Sequence, residues 1–338
     1  MALTNKSKTK TELPLWAWFA ALGILTFAVF SNTLSHGFLE NWDDPFYISN
    51  NAYIQGFSWA NLKAVFTKEF VGNYAPLHLL SYMIDYEIWE LNPRGYHLTN
   101  VLLHVMNTIL VFILLFRIYK NRFASFLGAL IFAIHPVQAE SVAWVTERKN
   151  ILGMSFLLLA FLFYQNFLNT KHRYHYFAAF ILYLAALLTK SVVVILPPIL
   201  LLYELMMRSP RDRVKNIVVR IAPFVLAAAA VSVLTLLTQK RGGGIRELYG
   251  GGVYAHVLTV VSIHLKYLQL IFFPAGLSAV YNLPIRTTVL SLPILASAVT
   301  FGTITVIFRY LYRIKSPACF WILFYFIALL PVSHIIPI

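Results

Sequence analysis

Two adjacent carboxylates, Asp43 and Asp44, stand in the run Asn41-Trp42-Asp43-Asp44-Pro45, just past the first long apolar stretch. In a chain with 13 acidic residues against 27 Lys plus Arg, such a pair is conspicuous. A turn before Pro45 explains one aspartate, because Asp and Pro favour turns, but it explains two less well. A carboxylate at a water–lipid boundary suits a different task, taking the proton of an attacking hydroxyl as general base. Lys or Arg nearby would stabilise the charge of a departing phosphate. Together these groups fit attack of a hydroxyl on the anomeric carbon of a sugar carried by a lipid phosphate. Phosphate leaves readily, so no second carboxylic acid is required, unlike glycoside hydrolysis, where two separated carboxyls share the work. The aspartate pair is therefore the expected chemical centre of a membrane transferase.

Composition says what must position it. The chain is 59% hydrophobic and only 12% charged, with a mean hydropathy of +0.70. Soluble domains carry about 25% charged residues, so this is the composition of an integral membrane protein. Unbroken apolar runs such as 151–163 and 218–237 predict helices rather than barrel strands, which alternate in polarity. The +14 charge gathers in short links between spans, where it orients helices. No basic stripe interleaved with aromatics points to nucleic acid. The single cysteine, Cys319, excludes an internal disulfide. The aspartate pair lacks His or Cys at ligand spacing, so no cofactor is assigned and a divalent metal is the less favoured expectation.

Taken in order, Lys6, Lys8 and Lys10 precede an apolar stretch over 15–30. No convincing small-x-small cleavage site follows, which predicts a retained anchor with its basic end in the cytoplasm and Asp43 outside. Residues 31–96 form a large first extracytoplasmic loop holding Glu40, Asp43, Asp44, Glu69, Asp85, Glu87 and Glu90. Within it, 58–70 and 76–89 read as amphipathic helices lying on the membrane surface, with Ser58 capping the first. Spans are expected over 97–116, 123–134, 151–167, 176–188, 192–207, 217–238, 289–308 and 320–336. Residues 254–273 are apolar enough to cross, but crossing would put Arg309, Arg313 and Lys315 outside. A bent or re-entrant segment broken at Pro274, with 275–286 remaining outside, satisfies the charge rule better. The count is nine crossings, or ten if 254–273 spans, in a single membrane domain over 1–338. Its end within an apolar run at Ile338 is expected to be a truncation.

Other polar clusters accompany the pair. His97, Asn100, His104 and Asn107 recur at helical spacing on one face of the second span. Such residues face a protein interior or a cavity, and interhelical hydrogen bonding explains them as well as substrate contact does. The outer turn 135–150 brings Glu140, Glu147, Arg148 and Lys149, which read either as substrate contacts or as an interfacial charge cluster. Lys190 interrupts two apolar runs; snorkelling to the interface and contact with a phosphate explain it about equally. Arg241 and Arg246, among the glycines of 242–252, suit a mobile lid or an ordinary flexible loop.

Several motifs, in this order, resemble a known family. They are Trp42-Asp43-Asp44-Pro45, Tyr74-Ala75-Pro76-Leu77 and the stretch Leu91-Asn92-Pro93-Arg94-Gly95-Tyr96-His97-Leu98-Thr99-Asn100. His135-Pro136-Val137-Gln138-Ala139-Glu140, Glu147-Arg148-Lys149, Thr189-Lys190-Ser191 and Leu196-Pro197-Pro198 follow. The chain is similar to the membrane part of the transmembrane and tetratricopeptide-repeat O-mannosyltransferases and their bacterial relatives, within the glycosyltransferase C superfamily. The resemblance implies an all-α, multi-spanning helical bundle with a large first outer loop. It further implies a polyprenyl- or dolichyl-phosphate-sugar donor used on the periplasmic or lumenal side, in a bacterial inner membrane or the endoplasmic reticulum. The acceptor would be a protein hydroxyl or an envelope glycan. Carried over by position, Asp43 becomes the catalytic base and Asp44 its acidic neighbour. Glu140, Arg148 and Lys190, with His97, Asn100 and His104, become substrate-binding candidates. Two features depart from the pattern: Asn150 stands where many relatives have Asp, and no tetratricopeptide repeats follow in this sequence. The competing classes are a lipid or solute transporter or flippase, whose polar residues should sit at midplane on broken helices in repeated halves, and a non-catalytic membrane scaffold.

Overall fold

The computed structural model describes residues 13–208, 214–282 and 284–337. Lys6, Lys8 and Lys10, and positions 209–213 of the basic link after the sixth expected span, lie outside the described residues. Among those described there are α-helices, short 3-10 or π turns and no strand. The helices are α1 (Leu15–Phe30), α2 (Trp59–Thr67), α3 (Pro76–Trp89), α4 (Pro93–Tyr119), α5 (Arg122–Ile134), α6 (Gln138–Ala143) and α7 (Arg148–Thr170). They continue with α8 (Arg173–Leu187), α9 (Leu196–Met206), α10 (Val214–Arg241), α11 (Val253–Phe272), α12 (Leu292–Arg313) and α13 (Ala318–Leu329). Among the described residues six helical segments are long and apolar enough to cross a membrane: Leu15–Ser35, Pro93–Tyr119, Val145–Thr170, Val214–Arg241, Val253–Phe272 and Leu292–Arg313. Arg122–Ile134, Ser191–Met206 and Ala318–Val332 are apolar but shorter.

Local chemistry sets the boundaries. Asn92 and Asn121 accept the backbone N–H of Arg94 (3.2 Å) and Ala124 (2.9 Å), capping α4 and α5. Lys120 (φ 56°) and Lys171 (φ 60°) take the left-handed turn that ends α4 and α7. The expected cap of α2 is present: Ser58 Oγ accepts the Asn61 N–H at 3.0 Å. The largest core cluster joins α7, α8, α9, α10 and α13 around Tyr164, Tyr183, Phe224 and Phe320. Within it Glu204 accepts from the Tyr164 hydroxyl and pairs with Arg220, both at 2.5–2.6 Å. With Tyr164, that pair ties three helices together at a largely buried position.

Contacts between distant segments fix which helix ends lie together. At one end, Leu13 O accepts from Arg122 (3.0 Å), Arg117 reaches Leu162 O (3.0 Å), and Trp321 bonds Tyr119. At the other end lie Asp43, the 135–150 turn and Lys190, joined by Gln239 on Gly72 O (3.3 Å). Helix α11 departs from its neighbours, because both its termini sit at this second end. His256 Nε2 lies 3.2 Å from Ile335 O, and Ile271 O lies 2.9 Å from His135 Nε2. The bent segment expected over 254–273 is instead one continuous helix that stops at Phe272, just before Pro274. The chain after it stays alongside, Arg286 N–H donating to Thr259 Oγ1 at 2.9 Å.

The turn between α3 and α4 is closed by Gly95, in the Gly-Tyr-His-Leu motif. A β-carbon there would come within 2.1 Å of the Trp89 ring and 2.6 Å of its Cβ, atoms too near the backbone to swing clear. Gly95→Ala should therefore destabilise the fold by about 1–3 kcal/mol, the usual cost of overpacking. A thermal unfolding midpoint in detergent equal to wild type would contradict this packing.

Candidate functional site

The two aspartates have separate environments. Asp44 is fully buried and accepts four hydrogen bonds. Leu39 N–H reaches Oδ2 at 2.7 Å, while Trp144 Nε1 (3.0 Å), Thr146 N–H (3.2 Å) and the Thr146 hydroxyl converge on Oδ1. It thereby fastens the first loop to the 135–150 turn, with the Trp42 and Trp144 rings packed edge to face at 5.2 Å. Asp43 is only half-buried, and its carboxylate has no hydrogen-bond or ion-pair partner among the described residues. Its backbone C=O accepts from Phe46 and Tyr47 N–H, both at 3.1 Å, so the Asp-Asp-Pro turn is real and holds the carboxylate outward.

The cations divide in the same way. Arg148 opens α7 but points into the protein, with its side chain fully buried. Its guanidinium pairs with Asp85 at 2.5 Å and donates to Asn100 Oδ1 (2.7 Å), Tyr96 O (3.0 Å) and Ser81 O (3.3 Å). It also lies 4.6 Å from the Tyr82 ring centroid. Lys149, one residue on and so rotated by about 100° around the helix, turns the other way. It pairs with Glu147 at 2.9 Å, lies 5.7 Å from the Tyr47 ring centroid and feels the charge of Asp43. Lys190 meets the same Glu147 at 3.6 Å and donates to Asn150 Oδ1. Asn150 in turn donates to Glu147 (2.6 Å) and Ser141 (3.1 Å).

The sequence candidates thus gather at one end of the bundle, in two layers. Asp43, Lys149, Lys190 and the exposed Glu140 form an accessible front around the buried Glu147, which joins the two lysines. Asp44, Arg148, Asn100 and His104 lie behind it, buried and bonded to protein. Asn100 donates to Val142 O at 3.3 Å, and His104 Nε2 lies 2.9 Å from Ala133 O. His97 is buried against the His36 ring at 6.0 Å. No signal in the sequence separates Arg148 from Lys149, since both sit in the first turn of a helix apolar on most sides. Only the Asp85 partner, 63 positions earlier, decides which cation turns inward.

Burial tunes the front. It draws the Lys190 ammonium below its ordinary value, with Glu147 opposing. It pushes the Glu140 carboxyl up, and Glu147 adds to that push. The Tyr47 phenol is raised by burial, with Lys149 opposing. Beside Lys190 a cavity of about 590 Å³ runs between Val192, Val194, Leu236 and the chain at 330–336. Its walls are largely apolar, and its volume is typical of small-molecule sites.

Beneath the front, the fully buried His78 sits 2.7 Å from Tyr82 Oη, whose proton goes to Val145 O at 2.8 Å. Burial first, then the charges of Lys149, Arg148 and Lys190, hold its pKa well below the usual histidine value. Above pH 6.5 folded and unfolded chains both keep this ring neutral. Below it the unfolded ring gains a proton that the buried ring refuses, so stability falls as pH drops below about 6.5. The thermal midpoint should fall between pH 6.5 and 5 in wild type and less steeply in His78→Gln; parallel slopes would refute the assignment.

Comparison with known proteins adds the remaining evidence. No family model matches the chain, and no solved structure matches it. Among curated proteins it is 31% identical over 183 residues to the protein O-mannosyl-transferase Tmtc1 of Drosophila melanogaster, covering 52% of this chain and 21% of that protein. It is 32% identical over 147 residues to mouse TMTC3 (40% and 15%) and 32% identical over 185 residues to mouse TMTC4 (47% and 24%), both likewise named protein O-mannosyl-transferases. The chain spans about a fifth of the length of these relatives. With its apolar helices it is an integral membrane protein, and over about half of its length or less its sequence is similar to the transmembrane and tetratricopeptide-repeat protein O-mannosyl-transferases.

Proposed function

We propose that this chain is a single membrane domain of glycosyltransferase C type that transfers a hexosyl group, in the manner of a mannosyltransferase, from a polyprenyl- or dolichyl-phosphate donor to a hydroxyl on the outer side of the membrane. The observation that carries the reading is the contrast between the two aspartates. Asp44 is buried and fully bonded, whereas the Asp43 carboxylate beside it is accessible, has no partner among the described residues, and stands near Lys149 on a front that also carries Lys190. In the reaction, Asp43 takes the proton of the acceptor hydroxyl, whose oxygen forms a bond to the anomeric carbon. The bond from that carbon to the phosphate oxygen breaks, and the phosphate leaves with the electron pair. Lys190 and Lys149 stabilise the charge it gains.

The placement of Lys190 supports a lipid-linked donor. One side of it meets Glu147 and Asn150, and the other borders the apolar cavity at α10 and the chain end. A phosphate held at Lys190 would leave its prenyl tail against Val192, Val194 and Leu236. The names of the relatives favour a protein acceptor. The contacts at the helix ends favour nine crossings, with α11 lying at the Asp43 end rather than crossing. That arrangement returns Arg309, Arg313 and Lys315 to the side of Arg117 and Lys120, as the positive-inside rule requires.

The test is transfer from a radiolabelled polyprenyl-phosphate-mannose to a Ser/Thr-containing peptide in membranes carrying this chain. Asp43→Asn should lower the rate by about 10²–10⁴-fold, the usual contribution of a general base. Wild-type transfer with an unchanged Asp43→Asn rate would remove Asp43 from the role. Lys190→Gln should weaken apparent donor affinity as well as rate, and an effect on acceptor affinity alone would move the phosphate elsewhere.

A further inference from the structure

At the end of the bundle opposite Asp43, a second cavity of about 570 Å³ opens between the close of α4, the last turns of α7 and the end of α9. Its lining is polar and carries three cations, Arg117, Lys120 and Arg208, with no Asp or Glu among them. Arg117 is fixed in place by Leu162 O (3.0 Å) and Asn166 Oδ1 (2.9 Å), both contacted through a single guanidinium nitrogen. The side chains of Lys120 and Arg208 have neither a hydrogen bond nor an ion pair among the described residues. Lys120 is held at the mouth by the left-handed turn that ends α4.

The base of the cavity is unusual. Gln165 is 2% exposed, and its amide has no close hydrogen-bond partner, only a loose contact with the Tyr203 phenol. A buried amide without a close partner costs free energy comparable to a lost hydrogen bond. Cations that merely orient helices lie in solvated links. Here they converge on one cavity, whose lining also includes the buried and only loosely engaged Gln165 amide and Asn169.

We propose that this cavity binds a phosphate-bearing anion, with Arg117, Lys120 and Arg208 taking the charge and the Gln165 amide donating to a phosphate oxygen. Two sources share that chemistry: the headgroup of an anionic phospholipid in the leaflet opposite Asp43, as basic pockets between membrane helices bind, and a free phosphate. The proposal concerns the far end of the bundle and stands whatever Asp43 does.

The experiment uses the whole chain purified in a neutral detergent, with labelled phosphatidylglycerol, labelled phosphatidylcholine and inorganic phosphate as probes. Phosphatidylglycerol should bind saturably and roughly tenfold or more tighter than phosphatidylcholine. Lys120→Gln combined with Arg208→Gln should weaken it by about tenfold or more, with either single variant used if the pair folds poorly. Gln165→Leu should weaken binding and, by removing a loosely engaged buried amide, raise the thermal midpoint without lipid. Displacement of phosphatidylglycerol by inorganic phosphate assigns the site to the phosphate group alone; no displacement assigns it to the lipid headgroup. Equal binding of the two lipids, or affinity for phosphatidylglycerol unchanged in the Lys120 and Arg208 variants, would overturn the proposal.

Discussion

The structure around the candidate site depends on one buried guanidinium. Arg148 is sealed from solvent, and a charge in that position is tolerable only when paired and fully hydrogen-bonded. Its partners come from two helices: Asp85, Ser81 and the face of Tyr82 on α3, and Tyr96 and Asn100 on α4. Removing one member of such a pair typically costs about 3–5 kcal/mol, so the first loop cannot lift off the bundle without stranding a charge. The same contact sets the rotational phase of α7. With Arg148 turned inward, Lys149 must turn toward Tyr47 and the Asp43 front. Asp44 fastens the loop from its other side, through Trp144 and Thr146. A loop of this length, lying across a membrane protein, thus presents a carboxylate from a rigid base rather than from a flexible tether.

Much of this was legible in the residues, and the limits were physical. Apolar period and charge placement marked most helices, and the Ser58 cap of α2 was readable because capping is local chemistry. The gathering of Asp43, Glu140 and Lys190 at one end followed from topology. The division of labour within Asp43/Asp44 and within Arg148/Lys149 did not. Adjacent residues differ only in direction, and direction is set by partners such as Asp85 and Trp144, far away in the chain. For α11 the charge rule favoured a segment that does not cross, and the contacts of His256 and Ile271 place both its ends together; what composition did not convey is that it stays one unbent helix up to Phe272. The polar face of α4 was read evenly between structure and substrate contact. Asn100, His104 and Asn107 engage carbonyls or side chains of neighbouring helices, so they align helices.

The front and the apolar cavity meet at Lys190. Its ammonium is kept in reach of Glu147 and Asn150 while burial lowers its proton affinity, a balance that leaves it responsive to an arriving anion. Asn150 belongs to this balance. A carboxylate at that position would add a second ion pair to Lys190, whereas the amide contributes one neutral acceptor and leaves Glu147 as its charged partner. Glu147 serves two lysines at once and has little charge left for either. The two lysines of the front thus share one carboxylate, Glu147, while Asp43 beside them stays without a partner among the described residues.

The central claim is that neighbouring aspartates divide the work, Asp44 holding the loop and Asp43 left free for chemistry. The most direct measurement compares the thermal unfolding midpoints of Asp43→Asn and Asp44→Asn, purified side by side in one detergent. The account predicts that Asp43→Asn unfolds with wild type, because its carboxylate bonds nothing in the protein. Asp44→Asn should unfold well below it, because an amide N–H would then face a donor at either oxygen position. Equal midpoints, or a larger loss at Asp43, would contradict it.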